Sequence, residues 1–137
     1  MKIGFACGIF DLFHAGHVLM LQECKAHCDF LIVALNTAEH LNPTINPGKN
    51  KPVFTLEERK IILSSCKYVD KVMVYHSEEE LYQLLIHEKV NIRFLGEDYK
   101  GRPITGGDLP IEIYYTNRSH GLSTSQYLRQ IAERIKN

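Results

Sequence analysis

The sequence predicts an α/β fold, a single doubly wound parallel sheet of five strands with helices on both faces. Three observations predict it. Short apolar runs of strand character alternate with segments of helical spacing, and no internal repeat or low-complexity tract interrupts them. The run DFLIVALN (29–36) is almost continuously apolar, as a strand covered on both faces must be. At 137 residues with 45% apolar side chains, the chain is long enough for one domain, 1–137, with a substantial core.

The elements follow in order. KIGFACG (2–8) reads as a short buried first strand, and AGHVLMLQECKAHC (15–28) as a helix that begins near Ala15 or Gly16. DFLIVALN is the second strand. The connection TAEHLNPTINPGKNKPVF (37–54) then runs eighteen residues with three prolines and a glycine, a length that marks functional or disordered segments. TLEERKIILSSCKY (55–68) opens a helix with Thr55 and Glu58 in capping-box spacing, and SEEELYQLLIHE (77–88) opens another with Ser77 and Glu80 in the same spacing. DKVMVY (70–75), NIRFLG (91–96) and PIEIYYT (110–116) complete the strands. STSQYLRQIAERIKN (123–137) is the last helix, with Ser123 three residues before Gln126.

Charge and cysteine content exclude several function classes. Sixteen basic and sixteen acidic residues cancel, so nothing global attracts nucleic acid or anionic lipid, and any anion must be bound locally. No run reaches membrane-spanning length and MKIGFACGIFD is not a signal peptide, so a cytoplasmic protein with no membrane partner is expected. Cys7, Cys24, Cys28 and Cys66 lack paired CxxC spacing and read as reduced, buried thiols. Cys24, His27 and Cys28 share a helix face, yet a fourth ligand is missing and the cysteines continue the stripe of Val18 and Leu21. No protein metal site is expected.

The chemistry concentrates in CGIFDLFHAGHVLM (7–20). In an open parallel sheet, ligands bind outside the carboxyl ends of strands, and the first strand ends at Cys7 and Gly8. The helix that follows places backbone N–H groups and the positive end of its dipole beside His14 and His17, which suits a phosphate. Gly16 removes a side chain where the backbone approaches that phosphate, and the phosphate in turn favours protonated histidines.

Gly8, Phe10, Asp11, His14, Gly16 and His17 resemble the GxFDxxHxGH signature of small nucleotidyltransferases, and RSHGLSTS (118–125) resembles their second signature, RTxGxSTT. With ERK (58–60) and GEDYKG (96–101), the resemblance covers essentially the whole chain and is closest to glycerol-3-phosphate cytidylyltransferases. It implies a Rossmann-like nucleotidyltransferase fold, a homodimer, and magnesium-dependent transfer of CMP from CTP to a phosphorylated small molecule for a surface polymer or lipid-like pathway. His14, His17, Lys51 and Arg118 are then the catalytic residues. Gly8, Ile9, Phe10, Asp11, Gly16, Lys49, Arg59, Asp98, Gly121, Ser123 and Thr124 are the nucleotide-binding ones, with Arg118 holding the cytosine end. Each has a plainer alternative: Ser123 as a helix cap, the lysines as a solvated loop, Arg118 as a surface arginine.

Three departures from the family pattern stand out. Ile9 replaces a threonine or cysteine, Ser119 a threonine, and RPITGGDLP (102–110) differs most. If that last segment borders the acceptor site, the acceptor differs from glycerol 3-phosphate. Heptose-phosphate adenylyltransferases share FDxxHAGH but usually lack the arginine that Arg118 represents, which favours CTP over ATP. Pantetheine-phosphate adenylyltransferases carry threonine in place of His14. The chain is too short for the tRNA-binding parts of class I aminoacyl-tRNA synthetases, which share HxGH. A nucleotide-binding module without turnover is the alternative outside enzymes.

Overall fold

The computed structural model describes residues 1–39, 51–117 and 119–136. Five parallel strands, β1 (Ile3–Gly8), β2 (Phe30–Asn36), β3 (Lys71–Tyr75), β4 (Ile92–Gly96) and β5 (Glu112–Thr116), form one sheet in the order β3-β2-β1-β4-β5. The chain winds outward from β1 to β3, returns to the other side of β1, and winds outward again. The winding therefore reverses between β1 and β4, which is where such sheets open a crevice.

The strand period of two sorts side chains to opposite faces. Ala6, Leu31, Val33, Leu35, Ile92 and Phe94 form one core with Leu21 and Cys24 of α1 (Ala15–Ala26) and Leu63 of α2 (Leu56–Ser64). Phe5, Ile32, Ala34 and Tyr75 form the other with Leu81 and Leu85 of α3 (Glu78–His87). The expected five strands and two covered faces are both present. The last helix, α4 (Thr124–Lys136), buries no residue and leaves Leu128, Ile131 and Ile135 exposed. Among the described residues no helix is long and apolar enough to cross a membrane, all four cysteines are free thiols, and no group of three His, Cys, Asp or Glu side chains could hold a metal.

The caps match the sequence reading with one correction. At α2 the Thr55 hydroxyl accepts from Glu58 N at 3.1 Å and the Glu58 carboxylate accepts from Thr55 N at 3.0 Å, a complete box. At α3 Ser77 accepts from Glu80 N at 3.2 Å, but Glu80 reaches one residue further back, to His76 N at 2.8 Å and the His76 ring at 3.1 Å. A ring N–H donor on the neighbouring imidazole, added to the His76 backbone N–H, makes the longer reach the better bond for that carboxylate.

Candidate active site

A cavity of about 900 Å³ opens at the carboxyl ends of β1 and β4. The loop that enters it from β1 is strained. Phe10 and Leu12 hold φ of 51° and 50°, a region costly for residues with a Cβ. Two contacts stabilise it: the Phe10 ring is buried in the core, and the Asp11 carboxylate between them accepts from Val53 N at 2.8 Å and Phe54 N at 2.9 Å.

The loop ends by capping α1 with two histidines. Nδ1 of His14 accepts from Gly16 N at 3.0 Å, and Nδ1 of His17 accepts from the backbone N of His14 at 3.1 Å. This is a capping box in which imidazoles replace the usual hydroxyl and carboxylate. A ring nitrogen that accepts carries no proton, so both caps select the tautomer with its proton on Nε2. Protonating either ring at Nδ1 would break its cap. What the box presents is a pair of Nε2–H donors fixed by the helix start.

The rings are also packed in a row. The His14 and His17 centroids lie 4.0 Å apart, Phe13 stacks on His17 at 5.3 Å, and Tyr127 lies 5.1 Å from His14. His14 Nε2 sits 3.2 Å from the hydroxyl of Thr124, the first residue of α4, and that hydroxyl donates to the Asp11 carbonyl at 3.4 Å. Two helix N-termini, α1 and α4, thus converge on one wall of the cavity, and their dipoles favour an anion there.

Gly16 is also required by the packing of the protein itself. A Cβ there would lie 2.8 Å from His14 Cε1, 3.0 Å from its Nδ1 and 3.1 Å from Leu122 Cβ. The close approach is made by the capping imidazole and by the segment before α4, so within the protein itself Gly16 is what lets His14 fold back onto its helix.

Of the residues named from the sequence, Gly8, Ile9, His14, Gly16, His17, Asp98, Ser123 and Thr124 line the cavity. Ser123 also caps α4, accepting from Gln126 N at 3.2 Å. Phe10, Asp11 and Arg59 lie behind the wall and shape it. Arg59 is 3% exposed and donates to the carbonyls of Ile9 at 3.1 Å, Asn36 at 2.7 Å and Thr37 at 3.1 Å, binding the ends of β1 and β2 together, and it is not among the residues that line the cavity. Burial pulls the Arg59 pKa down, and the Asp11 carboxylate pulls it back up. Gly121 has φ of 70° with open space around it, so it serves the turn before α4. Lys51 is exposed and outside the wall, while Lys49 and Arg118 lie outside the described residues.

The cavity also holds residues that the sequence reading left unassigned. His120, inside the second signature, lines it and accepts Leu122 N on Nδ1 at 2.9 Å, the same arrangement as His14 with Gly16. On the α3 face of the sheet the wall continues through Asn36, Tyr75, Glu78, Arg93 and Thr105. The one available signal was the arginine in the otherwise apolar strand NIRFLG. Pro103, Ile104 and Thr105 belong to the segment that departs most from the family pattern, and they do border the cavity.

The family model described as cytidylyltransferase-like matches residues 5–130. The glycerol-3-phosphate cytidylyltransferase of Bacillus subtilis is 33% identical over 96% of this chain and 98% of its own length. The bifunctional protein HldE of Wolinella succinogenes is 37% identical over 95% of this chain, which spans only 27% of that relative. A lipopolysaccharide core biosynthesis protein from Thermoplasma volcanium has a similar solved structure, with a TM-score of 0.67 at 28% identity, covering 85% of this chain and 97% of the other.

Proposed function

We propose, from the premise that this chain belongs to the cytidylyltransferase-like family, that it transfers CMP from magnesium CTP to a phosphorylated small molecule and releases pyrophosphate. The observation that carries the reading is the histidine capping box, which holds two Nε2–H donors and the start of α4 on one wall of a cavity at the sheet's switch point.

The chemistry asks for positioning and charge stabilisation rather than a protein nucleophile. An oxygen of the acceptor phosphate forms a bond to the α-phosphorus, the bond from that phosphorus to the bridging oxygen breaks, and its electron pair leaves with pyrophosphate. His14 and His17 donate Nε2–H to phosphate oxygens on which charge accumulates. They need no reorganisation, because the caps have already set ring and tautomer. Thr124 and the α4 N-terminus receive further phosphate oxygens. Magnesium, if bound with the triphosphate, would supply charge neutralisation of its oxygens. Lys49, Lys51 and Arg118 complete the nucleotide contacts in this reading, and a homodimer is the proposed assembly.

CTP is favoured over ATP because the cytidylyltransferase relative matches along nearly its whole length. The HldE relatives support a second reading, an adenylyltransferase acting on a sugar phosphate through the same site. Thermal denaturation with magnesium separates the two: CTP should raise the melting temperature well above the shift given by ATP at equal concentration. A larger shift with ATP moves the assignment to the adenylyl branch. Pyrophosphate release with a panel of phosphorylated polyols and sugars then identifies the acceptor, and no release with any of them, despite tight nucleotide binding, leaves a binding module.

A further inference from the structure

Arg93 is the chemically most exposed contradiction in the fold, a charged side chain planted in the middle of a buried strand. It is 5% exposed, between Ile92 and Phe94 at 1% and 4%. Its Nη1 donates to the Thr105 carbonyl, its Nε is buried with no acceptor, and no carboxylate stands within 4.0 Å of it among the described residues. A buried guanidinium lacking both a counter-ion and a full set of acceptors is costly in the free protein. An anion that arrives with a ligand resolves that cost.

The surroundings are shaped for such a ligand. Arg93 lies in the cavity wall on the α3 face, whereas the histidine box and the α4 N-terminus form the other side of the same cavity. The turn over the guanidinium is fitted to it: Gly106 has φ of 81°, and a Cβ there would lie 2.6 Å from Leu85 Cδ1 and 3.5 Å from Arg93 Nη1. Glu78 is the carboxylate of this lobe. It sits exposed at the rim and already accepts from the Thr105 hydroxyl at 2.6 Å, which leaves it suited to accept ligand hydroxyls rather than to neutralise Arg93.

We infer that this lobe is the acceptor subsite and that Arg93 binds the acceptor's phosphate through its non-attacking oxygens, with Glu78 accepting hydroxyls of a polyol or sugar. The inference rests on the nucleotidyl-transfer reading above. It gives the cavity two poles for two anions: the histidine N–H donors with the helix starts for the triphosphate, and the Arg93 guanidinium for the acceptor phosphate; Arg93 itself makes and breaks no bond. An arginine fork grips a phosphate in a defined orientation, as in-line attack requires.

The test titrates inorganic phosphate into the full chain by thermal denaturation, with the histidine pole occupied by magnesium α,β-methylene-CTP, whose α–β bridge cannot leave. The wild type should show saturable stabilisation by phosphate. Arg93→Met should weaken that response at least about tenfold while binding the analogue within about twofold of wild type. Without ligand, Arg93→Met should melt no lower than wild type, because the substitution removes an uncompensated charge, whereas a merely structural arginine predicts a clear drop. Arg93→Lys, which keeps the charge without the fork, should bind phosphate more weakly than wild type and serves if the methionine variant does not fold. An unchanged phosphate response in the folded variants, or no saturable response in the wild type, overturns the inference. Failure of the nucleotide reading is visible separately as failure of the analogue to bind, and phosphate titration of the free wild type and Arg93→Met still reports on Arg93.

Discussion

Gly16→Ala separates stability from catalysis at a single atom. In an ordinary helix interior the change gains about 1 kcal/mol from reduced backbone entropy in the unfolded chain. Here the new Cβ would stand 2.8 Å and 3.0 Å from two atoms of the His14 ring and 3.1 Å from Leu122 Cβ, so the ring must swing out of its cap. Losing the Gly16 N to His14 Nδ1 bond removes an N-cap contribution of about 1 kcal/mol. The two terms nearly cancel, and the melting temperature should stay within about 4 °C of wild type. Turnover should not stay. The swing withdraws His14 Nε2 from its place beside Thr124, and loss of one preorganised donor lowers kcat by about a hundred- to a thousandfold. Calorimetric melting and a pyrophosphate-release assay on the same sample check both halves. Wild-type turnover in the folded variant, or a loss of activity that merely follows unfolding, would refute the view that Gly16 exists to seat His14.

Three further outcomes follow from the same geometry. His17→Ala removes a cap acceptor and a donor together, so kcat should fall by about a hundredfold or more, measured as pyrophosphate release, with the folded circular dichroism spectrum retained. Arg59→Met leaves the carbonyls of Ile9, Asn36 and Thr37 without their shared donor and should destabilise the protein by about 3 kcal/mol in urea titration; a loss of nucleotide affinity with unchanged stability would contradict its scaffold role. Asp70 tests the pH response. Burial opposes its ionised form, but Lys25 Nζ at 2.6 Å and Leu31 N at 2.8 Å outweigh that and hold its pKa below the ordinary 3.8. A carboxyl whose folded pKa is depressed stabilises the protein above its ordinary value, and that stability is lost as pH falls through the lower folded value. Asp70→Asn should therefore lower the melting temperature at neutral pH and flatten its decline in acid, and an acid profile parallel to wild type would show that another group carries the effect.

How much of this was legible in the sequence divides along a physical line. The alternation of apolar strands with helical spacing, the starts of α1 and α2, and the Thr55–Glu58 box depend on residues within a few positions of one another, so they could be read without any structure; the ends, expected at 28 and 68, fall earlier, at Ala26 and Ser64. Even there a local competitor intervened, since the His76 ring drew Glu80 away from its expected partner. Both signatures were visible too, because a loop and a helix start carry their chemistry in consecutive residues.

Only the tertiary structure decided what those residues do to one another. His14 meets Thr124 across 110 positions of sequence, and the strand order, not any local pattern, brings the two helix starts together. The family resemblance gives Asp11 and Arg59 as nucleotide-binding residues, and the tertiary structure adds that both bond the backbone of neighbouring segments. Arg93 was visible only as an oddity in an apolar strand. Its meaning required the face it occupies, the carbonyl it reaches and the carboxylates it lacks, and those are set when five strands from distant parts of the chain share one sheet.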